Sequence, residues 1–127
     1  MTVRIRKSAL AMTLAFAVLG PSLNARAETF SDTVEDLPLM TGLSESDQTV
    51  VFETPQGRIA EVVAHGAVER AEIAVFYAQT LPQLGWRLLS KAPLAFERSG
   101  ERLAVRIEPS AQDGQSWVRF HFTPAAQ

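Results

Sequence analysis

Residues 102–108 read Arg-Leu-Ala-Val-Arg-Ile-Glu, and residues 117–122 read Trp-Val-Arg-Phe-His-Phe. In the first run Leu103, Val105 and Ile107 alternate with Arg102, Ala104, Arg106 and Glu108. In the second, Val118, Phe120 and Phe122 alternate with Trp117, Arg119 and His121. A period of two marks β-strands, and strict alternation of apolar with polar marks an antiparallel sheet with one covered face and one wet face. Pro109 ends the first strand, and Asp113-Gly114 supplies the next turn. Upstream, Leu94–Phe96 continues the pattern to a turn at Ser99-Gly100, and Trp86–Ser90 reads as one more strand.

The cover for the apolar face lies just before these strands. From Glu69 to Leu84 the period changes to three and four, and Ile73, Phe76, Tyr77, Thr80, Leu81 and Leu84 fall on one stripe. Pro82 deletes an amide and crowds the carbonyl of Ala78, so the α-helix is expected to end near Leu81 with one looser turn to Gly85. Before the helix, Thr49–Glu53 is β-branched and aromatic, Thr54–Gly57 is a turn, and Arg58–Ala64 returns as a strand that Gly66 stops. The order ββ-α-ββββ predicts a two-layer α+β domain: an antiparallel sheet of about five to six strands under a single amphipathic helix. That domain is expected over residues 48–124 of the 127 in the chain.

The preceding residues divide in two. Arg4, Arg6 and Lys7 stand before the apolar run Ala9–Leu19, which Gly20-Pro21 breaks ahead of Ala25-Arg26-Ala27. A basic start, a short apolar stretch and small residues around a cleavage point form a secretory signal. A run of this length rises only roughly 17 Å as a helix, against about 30 Å of bilayer hydrocarbon, so it is too short to remain as an anchor. Residues 1–27 are therefore expected to be a cleaved signal peptide, with cleavage near Ala27 and the periplasm as destination. Residues 28–47 are expected to form an acidic extended leader. Within it Leu37, Leu39 and Met40 make an apolar island around Pro38, suited to packing on the domain edge or to docking into a partner.

Removal of the signal leaves eight basic and fourteen acidic residues. The asymmetry is sharper inside that chain, because residues 28–57 hold seven acids and no base while 58–127 are nearly balanced. A chain without a basic excess lacks the electrostatic footprint of nucleic-acid binding. The absence of cysteine excludes disulfides, thiolate metal sites, a cysteine nucleophile and a lipidated N-terminal cysteine.

The run Phe76-Tyr77 through Leu81-Pro82 to Gly85-Trp86, followed by Phe96-Glu97-Arg98 and Gly100-Glu101, resembles a segment of small exported bacterial domains of unknown function. Those domains carry a helix that ends in FYxxxLPxxGW and runs into a strand hairpin. The similarity extends over roughly residues 36–123. It implies the α+β shape and the exported compartment, and carries over no catalytic residue.

Motifs for catalysis, phosphate loops and cofactors are absent, so neither enzymatic chemistry nor a cofactor is expected. His65 and His121 could pair with Ser99 or Ser116, or hold a metal with Glu61 or Glu108, but no spacing supports either arrangement. Glu97 and Glu101 flank a turn, where a carboxylate pair is ordinarily a solvated hairpin end. The wet face of the sheet is more informative. It is expected to display Arg102, Arg106, Trp117, Arg119 and His121, a composition suited to binding an envelope protein or an anionic envelope component. The acidic leader could instead fold back over these arginines. An alternative is a carrier whose concavity, between helix and sheet, is lined by Phe76, Tyr77, Phe96 and Phe120.

Overall fold

A computed structural model describes residues 29–109 and 113–125, and the export segment expected over 1–27 lies outside them. Where the alternation is strict, the strands are long: β8 covers Glu101–Pro109 and β9 covers Ser116–Pro124. Before them stand β6 (Arg87–Lys91) and β7 (Leu94–Arg98), and before the helix stand β4 (Val50–Thr54) and β5 (Gly57–Gly66). Three two-residue strands precede these, β1 (Thr29–Phe30), β2 (Pro38–Leu39) and β3 (Ser44–Glu45). The order is thus five strands, the helix, and four strands, in place of the expected ββ-α-ββββ. The extra strands pair over two residues each, too short to leave any periodicity in the sequence.

All pairings are antiparallel. β1 and β2 form a small sheet, and the main sheet of seven strands runs β3-β5-β9-β8-β7-β6, with β4 also on β5. β3 and β4 share one side of β5, separated by a turn in which Ser46 N–H reaches Val63 O at 2.7 Å. Residues directly opposite in an antiparallel ladder share a face. Ala60, Val62 and Ala64 therefore join Val118, Phe120, Phe122, Leu103, Val105, Phe96 and Leu94 on the inner face, all buried.

Helix α1 (Arg70–Thr80) covers that face with Ile73 and Tyr77, and Leu81 follows in the 3-10 turn Leu81–Leu84. Pro82 forces the tighter turn. Gly85 then takes φ +91°, and the Trp86 N–H closes the end on Leu81 O at 3.1 Å. Among the described residues no helix is long and apolar enough to cross a membrane.

The leader is part of this core. Leu37 and Leu39 are 1% and 5% exposed, and Val34 and Leu43 are buried beside them. The Tyr77 hydroxyl donates to Pro38 O at 2.9 Å and accepts from the Met40 N–H at 3.2 Å. Of the residues read as a docking motif, Leu37 and Leu39 are thus packed into the domain and Met40 is half-buried, with Tyr77 satisfying backbone groups on both sides of Leu39. At the far end of the leader Gly42 and Gly66 touch so closely that a Cβ on Gly66 would lie 1.9 Å from Gly42 O. The crossing of leader over β5 requires glycine there.

Candidate functional site

The outer face of the sheet is organised in cross-strand rows. One row runs Glu61, His121, Ala104, Ala95, Ser90 from β5 to β6. The next places Val63, Arg119 and Arg106 side by side, and the one beyond it His65, Trp117 and Glu108. On the other flank, Arg102 stands opposite Thr123 and Glu97. All five residues expected on the wet face, Arg102, Arg106, Trp117, Arg119 and His121, therefore share it.

Their neighbours make them unequal. Arg119 is bound by Glu61 at 2.8 Å and approached by Glu108 at 4.0 Å. His121 Nδ1 lies 3.7 Å from the same Glu61 carboxylate. Arg102 lies 3.6 Å from Glu97, which also meets Arg87 at 3.5 Å. Trp117 stacks on His65 with ring centroids 4.6 Å apart, and His65 Nδ1 is fixed by Gln115 Oε1 at 2.9 Å. Among the described residues Arg106 alone of this group has neither an ion pair nor a hydrogen bond to its guanidinium. It stands directly opposite Arg119, a like-charge placement that costs energy in a ladder unless something neutralises it. Glu61 neutralises Arg119; Arg106 stays uncompensated.

Ala104 supplies room. Flanked by long side chains, its methyl group floors a depression of about 250 Å³ lined by Glu61, Arg106, Arg119 and His121. Arg106 and Arg119 thus sit at one wall of a hollow that an anionic group can enter. Sequence reading named Glu61 only as a possible metal ligand. Its task of holding both Arg119 and His121 depends on the β5–β9 register, which no local pattern encodes.

Other expected constellations are not brought together. Glu97 faces outward opposite Arg102, whereas Glu101 lies opposite Arg98 on the helix side and binds Arg58 at 2.7 Å. The two-residue turn puts them on opposite faces, so they form no carboxylate pair. Ser116 donates to Val68 O at 2.7 Å. Among the described residues no three His, Asp or Glu side chains gather to hold a metal ion. The acidic leader does not cover the arginines of the outer face either. Its Asp36 binds Arg98 and Arg58 on the helix side, and its Glu45 accepts from the Ser31 hydroxyl at 3.0 Å. Of the aromatic rings expected to line a carrier cavity, Tyr77 lies edge-on to Phe120 at 4.9 Å and to Phe76 at 4.9 Å, while a depression of about 410 Å³ opens elsewhere between helix and sheet, lined by Arg70, Ala71, Ala74 and Ile107. In comparisons with known proteins, no family model, no curated protein and no solved structure matches the chain.

Proposed function

We propose that the protein is an exported, non-catalytic binding or envelope-assembly accessory domain that holds an anionic partner through the outer face of its sheet. The observation that carries this reading is Arg106, which meets no carboxylate among the described residues and stands opposite Arg119 over the hollow at Ala104. Guanidinium groups bind carboxylate and phosphate oxygens through paired N–H donors, and an arginine that lacks an internal partner offers them at no cost of breaking an existing bond. Trp117 and Arg102 extend the surface around it. Export is supported by the signal pattern in residues 1–27 and by the resemblance of residues 36–123 to small exported domains.

The test is the double variant Arg106→Glu with Arg119→Glu, compared with the unaltered protein for capture of partners from an envelope extract. Capture is expected to be lost while circular dichroism and the melting transition persist, since both side chains are on the solvated face. Undiminished capture by the folded double variant overturns the reading.

A further inference from the structure

The two edges of the main sheet are unlike. The β6 edge carries the devices that keep a strand from pairing with another chain: Arg87 and Lys91 are exposed, and the register shifts between Leu88 and Ser90. On the β4 edge the register runs without a shift, and its one charge is Glu53. β4 pairs with β5 on one side, and among the described residues no strand lies on the other. Its side chains are also the most apolar on the surface. Val50, Val51 and Phe52 are 47%, 37% and 62% exposed, and Ile59, opposite Phe52 on β5, is 37% exposed. The other exposed large apolar residues, Phe30, Val75 and Leu89, lie on separate elements.

Backbone groups on this edge are free in a definite pattern. The two-residue connection Pro55-Gln56 makes Thr54 and Gly57 a hydrogen-bonded pair, and such pairs alternate along the ladder. Val51 and Glu53 therefore turn their N–H and C=O away from β5. Charge selects what could pair with them. Residues 28–57 contain no base. Glu53 has no ion pair or hydrogen bond among the described residues, and Asp47 meets only the Ser46 hydroxyl at 3.5 Å. Two acids thus flank the apolar run Val50–Phe52; Arg58 stands opposite Glu53, but its guanidinium is taken by Glu101 and Asp36.

We infer that β4 is a strand-addition site, and that its occupant is an extended segment of another protein with apolar residues flanked by Lys or Arg. Main-chain bonds to Val51 and Glu53 supply the pairing, and contacts with Val50, Phe52 and Ile59 supply apolar burial. Bases at the ends of the segment answer Asp47 and Glu53. A second copy of this chain is the poorer occupant at the same edge, because self-pairing brings two acidic edges together. The edge continues the outer face, since Val50 stands opposite Glu61, but strand addition uses the β4 backbone and stands whether or not the arginines bind an anion.

The experiment measures amide exchange and chemical shifts in the protein with two probe peptides, Lys-Thr-Val-Tyr-Val-Thr-Lys and the same peptide with Glu at both ends. With the basic peptide at about ten times its Kd, exchange at Val51 and Glu53 is expected to slow about tenfold. The acidic peptide is expected to leave both unchanged. The variant Val51→Pro removes an outward N–H where an edge strand tolerates proline, so it should fold and lose the protection. Phe52→Lys, a change at an exposed position, should likewise repel the basic peptide, and it decides the matter if Val51→Pro does not fold. Equal effects of the two peptides, shifts confined to the Arg106 face, or no protection at all would overturn the inference. So would concentration-dependent dimerisation that protects Val51 and Glu53 without peptide, which would make the occupant a second copy.

Discussion

Tyr77 joins the helix, the leader and the sheet through one hydroxyl and one ring. Its ring is fully buried against Phe120, and its hydroxyl serves both Pro38 O and the Met40 N–H. Replacement by Phe keeps the packing but leaves a buried donor and a buried acceptor without partners, which costs about 1–3 kcal/mol. Urea denaturation of Tyr77→Phe is expected to show that loss as a lower midpoint with an unchanged slope. The same burial raises the Tyr77 pKa above the ordinary value of 10.0, although the Met40 N–H draws it back somewhat. The unfolded chain releases this proton near the ordinary value while the folded chain retains it. Above that pH the unfolded state binds fewer protons, so stability falls as pH rises. Melting temperature measured from pH 9 to 11.5 should decline more steeply for the unaltered protein than for Tyr77→Phe. A residue of this kind was visible in the sequence only as one member of an apolar stripe, because its hydroxyl partners lie far away in the chain.

The element whose nature changed most is the leader. Val34, Leu37, Leu39 and Leu43 are all in the core, and burying four such side chains contributes about 6–12 kcal/mol before entropy is set against it. That is comparable with the entire stability of a small domain, about 5–15 kcal/mol. The segment is therefore a wall of the domain and not an appendage to it. A clasp closes it on the helix side. Asp36 binds Arg98, whose guanidinium lies 4.2 Å from the Trp86 ring, and Arg58, which lies 4.8 Å from Phe122 and also binds Glu101. Partial burial pushes the Asp36 pKa up, but the Arg98 hydrogen bond and the charges of Arg58 and Arg98 outweigh it and hold the carboxyl below its ordinary 3.8. A depressed carboxyl stabilises above the ordinary value and loses that contribution as pH falls through the folded one. Hydrogen exchange below pH 4 is expected to loosen the Ser31 and Leu37 amides first, ahead of β8 and β9. Asp36→Asn should give the same loosening at neutral pH with a modest global effect, since the carboxylate is half exposed. Equal protection in both proteins would show that the apolar contacts alone hold the leader.

At the scale of the molecule, the sheet is closed by its most distant partners. β5 pairs with β9 over seven residues, joining Ala60 to Phe122, so the centre of the sheet forms only after most of the folded chain has been gathered. A topology dominated by such non-local pairs folds slowly, in about milliseconds to seconds. Stopped-flow fluorescence, with Trp86 buried and Trp117 stacked on His65, is expected to place refolding in that range. Microsecond refolding would mean that local elements control the barrier. Two-residue alternation in β8 and β9, the three-to-four spacing of the helix, and Pro82 before Gly85 were legible in the chain because each is a local steric or hydrophobic preference. They determine an α+β fold, and they also assign Arg102, Arg106, Trp117, Arg119 and His121 to one face. The pairing of β9 with β5, the burial of the leader, the isolation of Arg106 and the open side of β4 are set by contacts between residues remote in sequence. No window of neighbouring residues carries that information, since long-range register is chosen by the packing of the whole core.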